Sequence, residues 1–167
     1  FMAQELVKLL TIKKFNSVLE FGAGAGFLTE QFAKELDFEE YLANDLVEES
    51  EVFVKKYIPN AEFLCGDLEK IQLEKHFDLL ASNAVFQWVW DFDKLVQLCA
   101  GRLNPEGILL FSTFLPDNFK EIRQISGLTL EYCPEEKLKS TLGEKFDIVN
   151  SKKGQAVLTF DNPLKIL

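Results

Sequence analysis

Two kinds of hydrophobic pattern alternate along this chain. Short apolar runs bounded by turn residues are typical of buried parallel strands, and they predict strands at 17–21, 40–44, 61–65, 77–82 and 108–114. Between these runs apolar residues recur every three or four positions, which predicts helices at 3–15, 27–36, 47–57, 91–103, 118–125 and 135–142. We also predict a turn at 104–107, and further strand material over 146–160 that is interrupted around 152–154.

The order of these elements predicts an α/β domain. Successive strands of this kind are parallel and are joined by right-handed crossovers, so helices cover both faces of a mostly parallel sheet. The chain has 167 residues and no repeat or linker-like segment, and we expect a single domain over 1–167. Ligands of such sheets bind beyond the carboxyl ends of the strands, so the residues that follow each strand are the candidates for a site.

The first predicted strand leads into three alternating glycines within 22–26 and then into a helix. Such a loop can turn sharply and lets a ligand approach the main chain closely. The dinucleotide pattern Gly-x-Gly-x-x-Gly would need another glycine where the chain has Phe27 or Thr29, and a phosphate-binding P-loop would need a closing lysine, which does not occur before Lys34. The loop therefore suits a ligand with an ammonium group and a hydroxylated ribose better than a pyrophosphate.

An acidic residue lies at the end of each of the first three predicted strands. Glu20 can reach an ammonium group directly or through water, while the glycine loop holds the amino-acid part of the ligand. Asp45 ends the second strand, where a carboxylate can accept hydrogen bonds from both ribose hydroxyls. Asp67 follows the third strand and can accept from the exocyclic amine of adenine, with Leu46 and Leu68 beside the ring. One such acid alone is often a helix cap, but three after consecutive strands indicate a site.

These residues resemble the first three motifs of class I S-adenosylmethionine-dependent methyltransferases. The resemblance implies a Rossmann-like class I methyltransferase fold, with S-adenosylmethionine as the cofactor and S-adenosylhomocysteine as the product. The cofactor-binding residues predicted in this way are Glu20, Gly22, Ala23, Gly24, Gly26, Asp45, Leu46, Gly66, Asp67, Leu68 and Asn83.

Residues after the fourth strand narrow the resemblance. The Ser-Asn-x-x-x-Gln-Trp pattern at 82–88, the strand at 107–114 and the segments 118–123, 129–132 and 158–164 are similar to the malonyl-acyl-carrier-protein O-methyltransferases of biotin synthesis, the BioC family. The resemblance implies methylation of the free carboxylate of malonyl-acyl carrier protein. It also implies an N-terminal helical lid segment with a tyrosine, and a helix and last strand after Leu167; we expect the chain to lack both.

A carboxylate acceptor is already anionic at neutral pH, so its methylation needs in-line positioning and exclusion of water and no general base. No catalytic residue is certain from the sequence, and the positioning candidates are Asn83, Gln87, Trp88 and Arg123. Arginine matches a carboxylate best, and Arg123 lies after strand five, whereas Arg102 precedes it at the far edge. The aromatic residues Phe86, Trp88 and Trp90 can equally face a substrate or the core. His76 precedes strand four, and we expect it to be a surface residue. Asp78 lies at the start of strand four, and we expect it to have a structural role.

Composition restricts the partners. Lys and Arg number 18 against 27 Asp and Glu, and the net charge of −9 argues against nucleic acid as a substrate. No apolar run is long enough to cross a bilayer and no secretory signal is visible, so we expect a cytoplasmic protein, and we expect a monomer. Three widely spaced cysteines and one histidine predict reduced packing cysteines and no metal site.

Two alternatives stay open at this point. One is a methyltransferase that acts on another small-molecule acceptor, a carboxylate or a phenol, since the fold does not fix the acceptor. The other is a methyltransferase-like binding module without turnover. Docking on an acidic carrier protein would need a local basic patch on this acidic chain, for which the candidates are Lys120, Lys137, Lys139, Lys152 and Lys153.

Overall fold

A computed structural model describes residues 1–127, 130–157, 159 and 162. Five strands, all parallel, form one sheet in the order β3-β2-β1-β4-β5. The strands are β1 (Lys14–Phe21), β2 (Asp37–Asp45), β3 (Glu62–Cys65), β4 (Phe77–Asn83) and β5 (Leu103–Ser112). The helices are α1 (Met2–Val7), α2 (Phe27–Glu35), α3 (Ser50–Tyr57), α4 (Phe92–Arg102), α5 (Lys120–Ser126) and α6 (Glu135–Gly143), and Phe86–Trp88 forms one 3₁₀ turn. The predicted α/β fold with a parallel sheet is confirmed.

Alternation along the central strands explains why helices cover both faces of the sheet. Val18 packs in one apolar cluster with residues of α1, α2 and α3, whereas its neighbour Leu19 packs in a second cluster with Leu95 and Cys99 of α4. All four of these side chains are almost completely buried. Because side chains of a strand point alternately to opposite faces, an uninterrupted apolar run such as that of β1 needs a cover on each side.

The predicted helix over 3–15 is wrong beyond Val7. In the structure, Lys14 and Phe15 already belong to β1, where they pair with Asp37 and Phe38 of β2. Phe15 is buried in the sheet core. The apolar spacing suited a longer helix, but pairing with β2 and burial of Phe15 outweigh that local preference.

Two predictions near the end of the chain also need correction. The predicted turn at 104–107 lies within β5, where Phe77 pairs with Leu103 and Leu79 with Ile108, so the extra residues bulge out and Glu106 has a φ of 62°. Strand material was predicted over 146–160, and 146–157 contain no strand. Those residues are largely exposed, so they lack the neighbouring strand and the packing that a stable strand requires. Leu158 and Phe160, and the segment 163–164 used for the resemblance, lie outside the described residues, as does Thr129.

Asp78 ties three strands together at the amino edge of the sheet. Its Oδ2 accepts from the backbone N–H of Asn16 (2.8 Å) and of Ser17 (3.2 Å) in β1, and its Oδ1 accepts from Asn104 Nδ2 (2.7 Å) in β5. Desolvation by itself would raise the pKa of Asp78, but these hydrogen bonds outweigh it and the pKa is lowered. The structural role predicted for Asp78 agrees with this geometry.

We expect Asp78→Ala to lower the free energy of unfolding by about 2 kcal/mol, because two N–H groups and one amide lose their acceptor. Since the folded pKa lies below the unfolded one, the contribution is present above the ordinary pKa and is lost as the pH falls through the folded value. Urea unfolding at pH 7 and pH 3 measures both effects. An equal loss at the two pH values would contradict the assignment, and Asp147→Ala, an exposed carboxylate after α6, controls for loss of one surface charge.

Candidate functional site

A cleft of about 600 Å³ opens at the carboxyl ends of β1, β2 and β4. The chain leaves β1 towards β2 on one side and leaves β4 towards β5 on the other, so the cleft lies where the strand order reverses. The cofactor-binding residues predicted from the sequence line this cleft, with the exception of Gly26. Of the positioning candidates, Asn83 and Trp88 line it, whereas Gln87 and Arg123 do not.

The glycine loop forms one wall of the cleft and needs its glycines for two different reasons. Gly22, Gly24 and Gly26 have φ angles of 67°, 51° and 75°, a region that other residues rarely adopt. A Cβ on Gly22 would lie 2.2 Å from Cγ2 of Val85, whereas a Cβ on Gly24 would meet nothing within 4 Å. Gly26 begins α2, and a Cβ there would approach the carbonyl oxygen of Phe53 to 3.2 Å, so Gly26 serves helix packing.

Asp45 joins the end of β2 to the glycine loop. Its Oδ2 accepts from the backbone N–H of Gly24 at 2.7 Å, and its Oδ1 accepts from that of Val47 at 2.9 Å. The side chain is half-buried and lines the cleft. A carboxylate oxygen can accept more than one hydrogen bond, so Asp45 retains acceptor capacity towards the cleft while it holds the loop.

Asn44 is a site residue that the sequence reasoning missed. Its side-chain Nδ2 donates to the carbonyl oxygens of Leu64 (2.8 Å) and Gly66 (2.9 Å), and its backbone carbonyl oxygen accepts from the N–H groups of Gly22 and Ala23. It is 1% exposed. This one residue therefore fixes the glycine loop relative to the segment that carries Asp67. The available signal was an amide side chain directly after the apolar run 41–43 of β2.

Asp67, Leu46 and Leu68 lie together at the β3 side of the cleft. Asp67 pairs with Lys70 at 2.9 Å and accepts from the N–H of Glu69, and the hydrogen bond from Lys70 is the main reason that the pKa of Asp67 is lowered. Leu46 is 71% exposed, so its side chain is available to a ligand. The structure thus brings together the three residues that the sequence assigned to an adenine ring.

Glu20 is buried beneath the glycine loop, and its carboxylate has partners inside the protein. Oε2 accepts from the hydroxyl of Thr29 in α2 at 2.6 Å and from the hydroxyl of Tyr41 in β2. Desolvation raises the pKa of Glu20 to about 7, against the hydrogen bonds from Thr29 and Tyr41, which lower it. The carboxylate therefore fastens α2 and β2 to β1, and its contact with the ammonium group of a ligand stays a prediction.

We expect the buried Glu20 to make the protein less stable as the pH rises. Because the pKa rises from 4.5 to about 7 on folding, the folded state binds the proton more tightly, and stability falls as the pH increases from about 5 to 8. The group should contribute about 2 kcal/mol to this fall. Urea unfolding across this range should give a smaller decrease for Glu20→Gln than for the unaltered chain. Equal pH profiles would contradict the prediction.

The segment from Asn83 to Trp88 forms the wall opposite the glycine loop. Phe86 is buried and packs on Phe111 with ring centroids 4.9 Å apart, so it belongs to the core. Trp88 lines the cleft and is 66% exposed, whereas Trp90 is 94% exposed and does not line it. Gln87 lies behind this wall, where its Nε2 donates to the carbonyl of Ala84 at 2.6 Å.

Arg123 lies away from the cleft, on an exposed face of α5. Its guanidinium donates to the carbonyl oxygen of Pro116 at 3.4 Å. Arg102 is the last residue of α4 and directly precedes β5, so it lies at the amino edge of the sheet, as expected. A contact between Arg123 and an acceptor carboxylate therefore stays a prediction, and the described part of the chain contributes no Lys, Arg or His side chain to the lining of the cleft.

The three cysteines differ in how deeply they are buried. Cys99 is buried, and burial raises the pKa of its thiol to about 12, while Cys65 is exposed and Cys133 is half-buried. The packing role predicted for the cysteines therefore fits Cys99 and does not fit Cys65.

In the described ranges, none of the helices has the length and apolar character needed to cross a membrane.

Comparison with known proteins defines the class. A methyltransferase-domain family matches residues 19–111, which include the glycine loop and the three acids. The N-methyltransferase NodS from Bradyrhizobium japonicum, solved in complex with S-adenosylhomocysteine, shares the fold with a TM-score of 0.68 at 18% identity, covering 85% of this chain and 71% of that one. The fold and the site therefore define a class I methyltransferase domain.

Two relatives define the family more closely. Malonyl-[acyl-carrier protein] O-methyltransferase from Porphyromonas gingivalis is 36% identical over 99% of this chain and 66% of its own length. The protein with the same name from Calditerrivibrio nitroreducens is 35% identical over 99% of this chain and 67% of its own length. The chain therefore belongs to the malonyl-acyl-carrier-protein O-methyltransferase family, and it spans about two thirds of the length of these relatives.

Proposed function

We propose that this chain binds S-adenosylmethionine in the cleft and transfers its methyl group to the free carboxylate of malonyl-acyl carrier protein. The observation that carries the proposal is the Asp45 carboxylate, which is held against the glycine loop by Gly24 while it lines the cleft. When bound, this cofactor supplies a methyl group on a positively charged sulfur, and the acceptor carboxylate needs no base to become a nucleophile.

The residues of the cleft fit such a cofactor. The volume of about 600 Å³ is in the range of small-molecule sites. Val85 occupies the space that a Cβ on Gly22 would need, and both residues line the cleft. The ionisable side chains that line the cleft within the described ranges are acids, namely Glu20, Asp45, Asp67 and Glu69. Acidic side chains in a cleft favour a cationic ligand such as S-adenosylmethionine.

The acceptor side of the proposal rests on family membership. The two relatives are named for malonyl-acyl carrier protein, and the chain covers about two thirds of each. Three of the lysines considered for docking are engaged in ion pairs: Lys139 and Lys153 with Glu135, and Lys152 with Glu5. Docking on an acidic carrier protein would therefore use Lys120, Lys137 and Arg123. We also propose that the chain is a cytoplasmic monomer. Its net charge of −9 supports the proposal that it does not bind nucleic acid.

A methyl-transfer assay tests the proposal. Malonyl carrier protein, free dicarboxylic acids and phenols are offered with labelled cofactor to the 167-residue chain and to a form extended at both ends with the additional segments of the Porphyromonas gingivalis relative. We expect methylation of malonyl carrier protein, with Asp45→Ala as the inactive control. Preferential methylation of a phenol would favour another acceptor, and cofactor binding without any transfer in either form would favour a binding module.

A further inference from the structure

A chain of hydrogen bonds joins the carboxyl ends of β4 and β5 at the edge of the cleft. Asn83 and Ser112 are paired neighbours in the sheet. The Oγ of Ser112 accepts from the backbone N–H of Ala84 at 3.1 Å and donates to Oδ1 of Asn83 at 2.9 Å. One hydroxyl therefore contacts both the backbone after β4 and the side chain of Asn83.

The single proton of the hydroxyl fixes the orientation of the Asn83 amide. Because the Ala84 N–H occupies a lone pair of Ser112 Oγ, the hydroxyl proton is directed to its acceptor, which is Oδ1 of Asn83. The other end of the amide, Nδ2, has no hydrogen-bond partner among the residues that the structure describes. Among those same residues, no buried side-chain nitrogen or oxygen lacks a partner, so Nδ2 is accessible, and Asn83 lines the cleft.

The backbone around Ala84 makes this orientation rigid. Ala84 has a φ of 59°, which is unfavourable for a residue with a Cβ and persists only where the surroundings hold it. Its N–H donates to both the carbonyl and the hydroxyl oxygen of Ser112, each at 3.1 Å, and its carbonyl accepts from Gln87 Nε2. This arrangement gives a structural use to Gln87, which does not reach the cleft.

We propose that Ser112 is a positioning residue that directs the two N–H groups of Asn83 into the cleft, where they donate to a carboxylate oxygen of the methyl acceptor. The proposal rests on the proposed function for the identity of the acceptor. It supplies the donor that an anionic acceptor requires in a cleft whose described lining has no cationic side chain. It also assigns Asn83 to the acceptor rather than to the cofactor.

Steady-state kinetics with malonyl carrier protein test the proposal. We expect Ser112→Ala and Asn83→Ala each to raise the acceptor KM about tenfold, the effect of one hydrogen bond to a charged group, without changing the affinity for S-adenosylhomocysteine. Ser112→Thr keeps the hydroxyl and should restore the KM. The double variant should be no worse than Asn83→Ala alone, because Ser112 acts through Asn83. Ser140→Ala, which removes an exposed hydroxyl of α6, is the control and should leave the KM unchanged.

An unchanged acceptor KM in Ser112→Ala, or additive effects in the double variant, would overturn the proposal while methyl transfer by the unaltered chain still supports the proposed function. Absence of methyl transfer in both the 167-residue chain and the extended form would instead overturn the proposed function. The Asn83 side-chain amide signals then give a second test, by NMR with malonyl-pantetheine and saturating S-adenosylhomocysteine. Shifts that are lost in Ser112→Ala support the role of Ser112, and unshifted signals, whether or not the thioester binds, overturn it.

Discussion

Replacing Asp45 with alanine should weaken the binding of S-adenosylmethionine by about 100-fold, which is close to 2.7 kcal/mol. Two losses add up. The ribose loses a charged acceptor, and hydrogen bonds to charged groups are worth more than neutral ones. In addition, the N–H of Gly24 loses the carboxylate that holds the glycine loop at 2.7 Å, so the loop must be ordered when the ligand binds.

Matched variants separate these two losses. Asp45→Asn keeps the shape and one oxygen, so we expect an affinity between those of the unaltered chain and Asp45→Ala. Asp37→Ala removes an equally charged residue at the other end of β2, where the carboxylate forms an exposed ion pair with Lys14. It should leave the affinity unchanged. Calorimetric titration measures all three variants, and an affinity of Asp45→Ala equal to that of the unaltered chain would show that Asp45 does not hold the ribose.

Replacing Gly22 with alanine should destabilise the protein by about 3 kcal/mol and abolish cofactor binding. The new Cβ would lie 2.2 Å from Cγ2 and 2.9 Å from Cγ1 of Val85, so rotation of the valine cannot clear it. The φ of 67° adds backbone strain. Strain of this kind costs about 1 kcal/mol, and overpacking of a filled space costs a further 1 to 3 kcal/mol, roughly.

Gly24→Ala is the matched control for the clash. Its φ of 51° imposes a similar backbone strain, but a Cβ there meets nothing within 4 Å, so we expect a loss of only about 1 kcal/mol. Adding Val85→Ala to Gly22→Ala should recover part of the lost stability, because both γ-carbons are removed. Urea unfolding gives these values. Equal losses for Gly22→Ala and Gly24→Ala would show that contact with Val85 is not the cause.

Much of the sheet could be predicted from the sequence because its central strands, β1 and β4, are buried on both faces. The runs that end at Phe21, Asp45, Cys65 and Asn83 form strands close to where the pattern placed them. The carboxyl ends of parallel strands share one edge, which is why Asp45 and Asp67 could be placed together without any knowledge of distances.

The failures have a common physical origin in contacts between residues distant in sequence. The apolar spacing around Phe15 fits a helix, but the pairing of Phe15 with Phe38 places it in a strand. The partners of Glu20 and of Asn83 are also set by the register between strands: Tyr41 lies on β2 and Ser112 on β5. A pattern read along one strand identifies polar residues at its end, but it does not show which of them face a ligand and which face each other.

Titration of the 167-residue chain with S-adenosylhomocysteine by calorimetry, at two temperatures so that a binding enthalpy near zero is not mistaken for absence of binding, tests the central claim most directly. We predict saturable binding of one ligand per chain that Asp45→Ala weakens and Asp37→Ala does not. Absence of heat at both temperatures, or equal binding by all three proteins, would contradict the assignment of the cleft as the cofactor site.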